Sequence, residues 1–113
     1  MLFLVELDHV KSGTPPAPEI SRAFIEQTIF PTLARGEELL QAKKIVAGGP
    51  VLGRIALRFI VEADSLADVD KIITSLPIWL VAETRVTPLI SFSERRQHVQ
   101  SLLERVPTRP SGS

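Results

Sequence analysis

The feature that most restricts how this 113-residue chain can fold is a strict alternation near its middle. Ile55, Leu57, Phe59 and Val61 occupy one parity, while Arg54, Ala56, Arg58, Ile60 and Glu62 occupy the other. Side chains two residues apart share one face of a β-strand, so residues 54–63 are predicted to form a strand with one face committed to a core. Residues 2–10 repeat the pattern, with Phe3, Val5 and Leu7 set against Leu4, Glu6 and Asp8. Residues 80–91 do so again, with Leu80, Ala82, Thr84 and Val86 against Val81, Glu83, Arg85 and Thr87, and with a disturbance expected at Pro88. A shorter strand over 43–48 leads into Gly49-Pro50, which reads as part of the turn of a hairpin with 54–63.

Between these strands the apolar spacing turns helical. Residues 19–42 place Ile20, Ala23, Phe24, Phe30, Leu33, Ala34, Leu39 and Leu40 on one stripe. Pro31 lacks the backbone donor that a helix interior requires, so either a kink over residues 27–31 or two consecutive helices follows, and the prompt return of the apolar stripe favours the kink. Ser65 caps a second helix carrying Leu66, Val69, Ile72, Ile73 and Leu76, which stops before Pro77. Ser93 is the expected cap of a third helix, from about residue 94, with Val99, Leu102, Leu103 and Val106 at helical spacing. The resulting order is β-α-β-β-α-β, the split βαβ unit of ferredoxin-like α+β domains, with a four-stranded antiparallel sheet and one appended helix. One domain over 1–106 and a flexible tail over 107–113 are expected from the length and from Pro107.

Composition narrows the function classes. Thirteen basic residues balance thirteen acidic ones, so the chain has no overall field to attract nucleic acid or an anionic membrane. It has no cysteine, which removes disulfides, thiolate metal sites and cysteine nucleophiles. The apolar start is cut short by Glu6 and Asp8 before reaching the length of a signal peptide, and a cytoplasmic location is expected. His9 and His98 are the only histidines and have no ligand spacing, so no metal site is expected. The GxxxxG spacing of residues 48–53 is followed by Arg54-Ile55 and a strand, which does not make a phosphate loop.

Two helices can cover only one face of the sheet. The other face mixes Leu4 and Ile60 with Glu6, Arg54, Arg58, Glu83 and Arg85, a combination that needs a partner. With the strand order 4-1-3-2 usual for this topology, Glu6 is flanked by Arg58 and Arg85. His9, at the end of the first strand, could approach the mouth of such a pocket, and Trp79 could form one of its walls. The same residues could instead pair among themselves, keeping an open face soluble or lining a dimer interface.

The element order, Ala47-Gly48-Gly49, the run Val61-Glu62-Ala63-Asp64-Ser65 and above all the step Ser75-Leu76-Pro77-Ile78-Trp79 resemble the muconolactone delta-isomerase family over residues 1–95. The resemblance implies subunits paired through their sheets into a dimeric α+β barrel, with further assembly into a decamer. It also implies a double-bond shift in a lactone by proton transfer, without metal or organic cofactor. Such chemistry needs a base beside a carbonyl and a cation to hold the enolate. Strand parity offers Glu6 or Glu83 as the base, and Arg54, Arg58 or Arg85 as the group holding the carboxylate or enolate. The chain departs from the family at Gly53-Arg54-Ile55-Ala56-Leu57, where the isomerase carries a histidine and aromatics, and in its long final helix.

Three functions stay open on this reading. The first is an isomerase-like enzyme acting on a small carboxylated lactone or related metabolite. The second is a cofactor-independent monooxygenase or polyketide-modifying barrel, and the third a non-catalytic small-molecule-binding or assembly protein. All three take a homodimer or larger homo-oligomer formed through the sheet face.

Overall fold

The computed structural model describes residues 1–11 and 13–108. Its elements are β1 (Leu2–His9), α1 (Pro18–Phe24), a π-helical turn (Ile25–Ile29), α2 (Phe30–Gln41), β2 (Ile45–Pro50), β3 (Ala56–Glu62), α3 (Leu66–Thr74), a 3-10 turn (Pro77–Val81), β4 (Ala82–Leu89) and α4 (Phe92–Arg105). The four strands are antiparallel in the order β2-β3-β1-β4, as expected for the ferredoxin-like arrangement. Phe3, Val5 and Leu7 from β1 and Phe59 and Val61 from β3 are buried against Leu39, Val69, Ile72, Ile73 and Leu76 from the helical side. Burying a side chain of this size stabilises the fold by about 1.5–3 kcal/mol, so the odd parity of β1 and β3 holds the helices to the sheet.

The expected kink at Pro31 takes a particular form. Phe30 donates its N–H to the carbonyl of Ile25, five residues back, which widens the turn immediately before the proline. Proline cannot donate and its ring crowds the preceding turn, and a π turn relieves both constraints without ending the helix. The extra residue also rotates the helix beyond it. Phe24 and Ile29 pack on the core, whereas Phe30, expected on the stripe, is 60% exposed.

Several boundaries differ from the sequence reading for local reasons. β2 starts at Ile45 rather than residue 43, because Lys43 adopts a positive φ of 61° and closes the C-terminus of α2, with its N–H donating to the Leu40 carbonyl. Gly49-Pro50 belongs to β2 and not to the turn. β2 is an edge strand, where proline is tolerated, and the hairpin closes through the Val51 N–H donating to the Ala56 carbonyl. β3 therefore begins at Ala56, and Ile55 is left in the loop, exposed. Gly48 has a φ of 95°, and a Cβ there would lie 2.2 Å from the Arg58 carbonyl oxygen, so only glycine fits. Pro88 lies on β4, the other edge, opposite Phe3.

Residues 77–81 form the 3-10 turn instead of opening the last strand, with Pro77 in its first turn. The Ile78 N–H donates to Thr32 Oγ1 at 3.0 Å, and Thr32 is 4% exposed. The expected cap Ser65 accepts from the Asp68 N–H at 3.2 Å. At α4 the cap is Ser91, not Ser93; its hydroxyl accepts from the Glu94 N–H, with glutamate in the third helical position. Every residue of α4 is exposed. The expected flexible tail falls mostly on residues 109–113, which lie outside the described residues.

Candidate functional site

The even parity of β1 and β3, and the parity of β4 that carries Glu83, Arg85 and Thr87, face away from the helices. In the paired register Glu6 stands opposite Arg58 on one side and Arg85 on the other, while Asp8 stands opposite Ala56 and Glu83. Antiparallel neighbours directly opposite lie close enough for their side chains to interact. A shallow depression of about 220 Å³ results, lined by Glu6, Asp8, Arg58, Glu83, Thr84 and Arg85.

Arg58 is the organiser of this face. Its Nη2 donates to both carboxylate oxygens of Asp8 at 3.1 Å, and its Nε lies 3.3 Å from Glu6 Oε1. Its Nη1 donates to the carbonyl of Leu57 at 2.9 Å and more weakly to that of Leu7 at 3.4 Å. Arg54 also donates to Asp8, so one carboxylate receives two guanidinium groups. The hydrogen bond from Arg58 holds the Asp8 carboxyl below its ordinary range, with Arg54 acting in the same direction and partial burial opposing both.

Glu83 and Arg85 differ from these. Both are exposed, and neither has a hydrogen bond or ion pair among the described residues. The face therefore joins a tied arginine, held by two carboxylates, to a carboxylate and a guanidinium on β4 that keep their bonding capacity. This arrangement can fix an anion at Arg85 while a neighbouring carboxylate accepts a proton.

The structure brings together five of the residues singled out from sequence: Glu6, Arg54, Arg58, Glu83 and Arg85. Two do not join them. His9 continues the odd parity of β1, so it sits on the helix side of the sheet with its ring centroid 4.9 Å from that of Phe24. Trp79 lies in the 3-10 turn ahead of β4, 38% exposed, and does not line the depression. Asp8 is the residue that sequence reasoning left out of the site. Its parity already put it beside Glu6, but its role as the double arginine acceptor depends on side-chain reach across two strands.

Among the described residues there is no group of three metal-ligating side chains, and no helix is long and apolar enough to cross a membrane. No protein-family model matches the sequence, and no curated protein matches it. Several solved structures are similar to it, among them two enzymes. One is 5-chloro-2-hydroxyhydroquinone dehydrochlorinase from Burkholderia phenoliruptrix AC1100, in complex with 2,5-dihydroxybenzoquinone. It is 24% identical with a TM-score of 0.59, over 83% of this chain and 98% of that one. The other is muconolactone isomerase, 16% identical with a TM-score of 0.64, over 80% of this chain and 90% of that one. At these identities the likeness shows a shared fold: the chain has the α+β fold of muconolactone isomerase, carried here with a long C-terminal helix.

Proposed function

We propose that this chain is a muconolactone isomerase-like enzyme that shifts a double bond in a small carboxylated lactone, or a related oxygenated metabolite, at its open sheet face. A second copy closes over that face, making a homodimer or larger homo-oligomer. The observation that carries the reading is the juxtaposition of Glu6 with Arg58 and Arg85 in register, with Glu83 and Arg85 beside them and unpaired among the described residues.

In this reading Arg85 holds the substrate carboxylate or the developing enolate oxygen, a role suited to a guanidinium with free donors. Glu83, or Glu6 through its second oxygen, takes a proton from the carbon next to the carbonyl and returns it at another carbon of the conjugated system. One C–H bond breaks and one forms, no electrons leave the substrate, and the carboxylate is regenerated. Arg58, fixed by Glu6 and Asp8, presents positive charge at a set position, and Arg54 reinforces Asp8. No step requires a cofactor. Two small-molecule enzymes with the same fold, an isomerase and a dehydrochlorinase, support this class of activity.

A second reading is favoured by the engagement of Arg58: all three of its nitrogens are already bonded within the chain. On that reading the face only joins subunits. Turnover of a candidate lactone separates the two. Arg85→Gln and Glu83→Gln, both at exposed positions, are expected to fold normally and each to lower kcat/KM by about 100-fold. Unchanged turnover in both would leave the interface reading in possession of the site.

A further inference from the structure

We propose that α4 is an arm that binds a second copy of this chain, laying its apolar stripe in the groove between that copy's α2 and β2. The proposal does not rest on the chemistry assigned to the sheet face.

The arm is amphipathic and stands open. Phe92, Val99, Leu102, Leu103 and the C-cap residue Val106 recur at helical spacing, and each is more than half exposed. Arg95 and Arg96 fall on the same face, three and four residues after Phe92. An apolar stripe at this spacing on an otherwise polar helix is the form in which a helix docks into a groove.

The groove has a volume of about 250 Å³, with Leu33, Gly36, Glu37, Leu40, Gly49 and Pro50 on its walls. The first four form one face of α2, on which Leu33 and Leu40 are exposed. Its two glycines are not required by their own subunit: neither has a positive φ, and a Cβ on either would meet nothing within 4 Å. Glycine weakens a helix interior and a strand alike, and what the missing side chains leave is room for another backbone to come close.

Three observations make the occupant a copy of this chain. Stripe and groove match in length, since the 12 residues of α2 run about 18 Å and the 14 of α4 about 21 Å. They match in charge, because Glu37 is the one charged residue among those described on the groove wall and Arg95 and Arg96 accompany the stripe. Finally, α4 cannot lie along the groove of its own subunit. It leaves β4 through Ile90-Ser91, which span at most about 7 Å, whereas β2 lies three strand spacings away, about 14 Å, at the opposite edge of the sheet. Reciprocal exchange of arms between two copies closes a dimer and leaves neither groove open.

The chain has no cysteine, so single introduced cysteines can report the contact. Leu40→Cys marks the groove and Val99→Cys the middle of the stripe, both at exposed positions. An equal mixture of these two variants, allowed to exchange subunits and treated with a short bis-maleimide, should give linked dimer, and neither variant alone should. Gly36→Leu, added to the Leu40→Cys chain, fills the groove without meeting anything in its own subunit and should lower the linked yield about tenfold. Leu103→Glu, added to the Val99→Cys chain at an exposed position, should lower it from the other side by placing a charge in an apolar groove. Circular dichroism shows that each variant is folded. The proposal is overturned if Val99→Cys links to itself, which would mean that the stripes pair with each other. It is equally overturned if the mixture gives no linked dimer, or if folded Gly36→Leu and Leu103→Glu chains link as readily as those without the added change.

Discussion

Asp8 shows how much a single side chain on this face depends on its neighbours. Because the Arg58 hydrogen bond lowers its folded pKa below the ordinary 3.8, its ionised form is favoured more in the folded chain than in the unfolded one. The resulting stability is fully present above the unfolded value and drains away as pH falls through the lowered folded value. Asp8→Asn should therefore reduce the thermal midpoint at neutral pH, and the gap to wild type should narrow once the pH drops below the ordinary aspartate range. Melting curves of both proteins from neutral to acid pH check this, and a gap that stays constant throughout would contradict it. The residues of this face were largely legible in the sequence, since parity together with the strand order usual for this topology put Glu6, Arg58 and Arg85 side by side. The saturation of Arg58 was not legible, because it depends on rotamers and not on register. His9 was legible only in principle: one further step of the Phe3, Val5, Leu7 series leads to the helix side.

At the scale of elements, the strands were legible because their alternation is long and regular, and the helix boundaries were less so because they depend on single backbone contacts. Thr32 is the clearest case. Nothing in its sequence context marks a threonine within an apolar stripe as a hydrogen-bond acceptor for the Ile78 N–H, 46 residues away. That bond fastens α2 to the 3-10 turn, and so fixes the entry of β4, the strand that presents Glu83 and Arg85. Thr32→Val keeps the shape and leaves a buried N–H without a partner, which should cost about 1–3 kcal/mol in denaturant unfolding. A loss below about 0.5 kcal/mol would show that water replaces the hydroxyl. The π turn belongs to the same scale: Pro31 announces a disturbance, but whether a helix kinks, breaks or widens is decided by the packing of Phe24 and Ile29 on the core.

At the scale of the molecule, the chain is long for its size. Its radius of gyration is 20.3 Å, against about 13 Å for a compact chain of this length, and its extents are 75 × 34 × 23 Å. The cause is α4, which stands clear of the core: its Phe92, Leu102 and Leu103 and the C-cap residue Val106 are 97%, 55%, 71% and 61% exposed. The sequence left open whether this helix packs on its own subunit, and in the structure it does not. Removing residues 92–113 should thus leave the thermal midpoint of the sheet and core nearly unchanged at concentrations where the chain is monomeric. A large fall would mean that α4 supports the core after all. The apolar stripe of α4 and the open sheet face are the two surfaces with most to gain from a second copy, and the sheet face holds the proposed chemistry. A crystal structure of the assembled homo-oligomer tests that claim most directly. The account predicts two sheets facing each other around a cavity into which Glu83 and Arg85 project, beside the Glu6–Arg58–Asp8 cluster. Sheets packed without a cavity, with Glu83 and Arg85 paired across the interface, would contradict it.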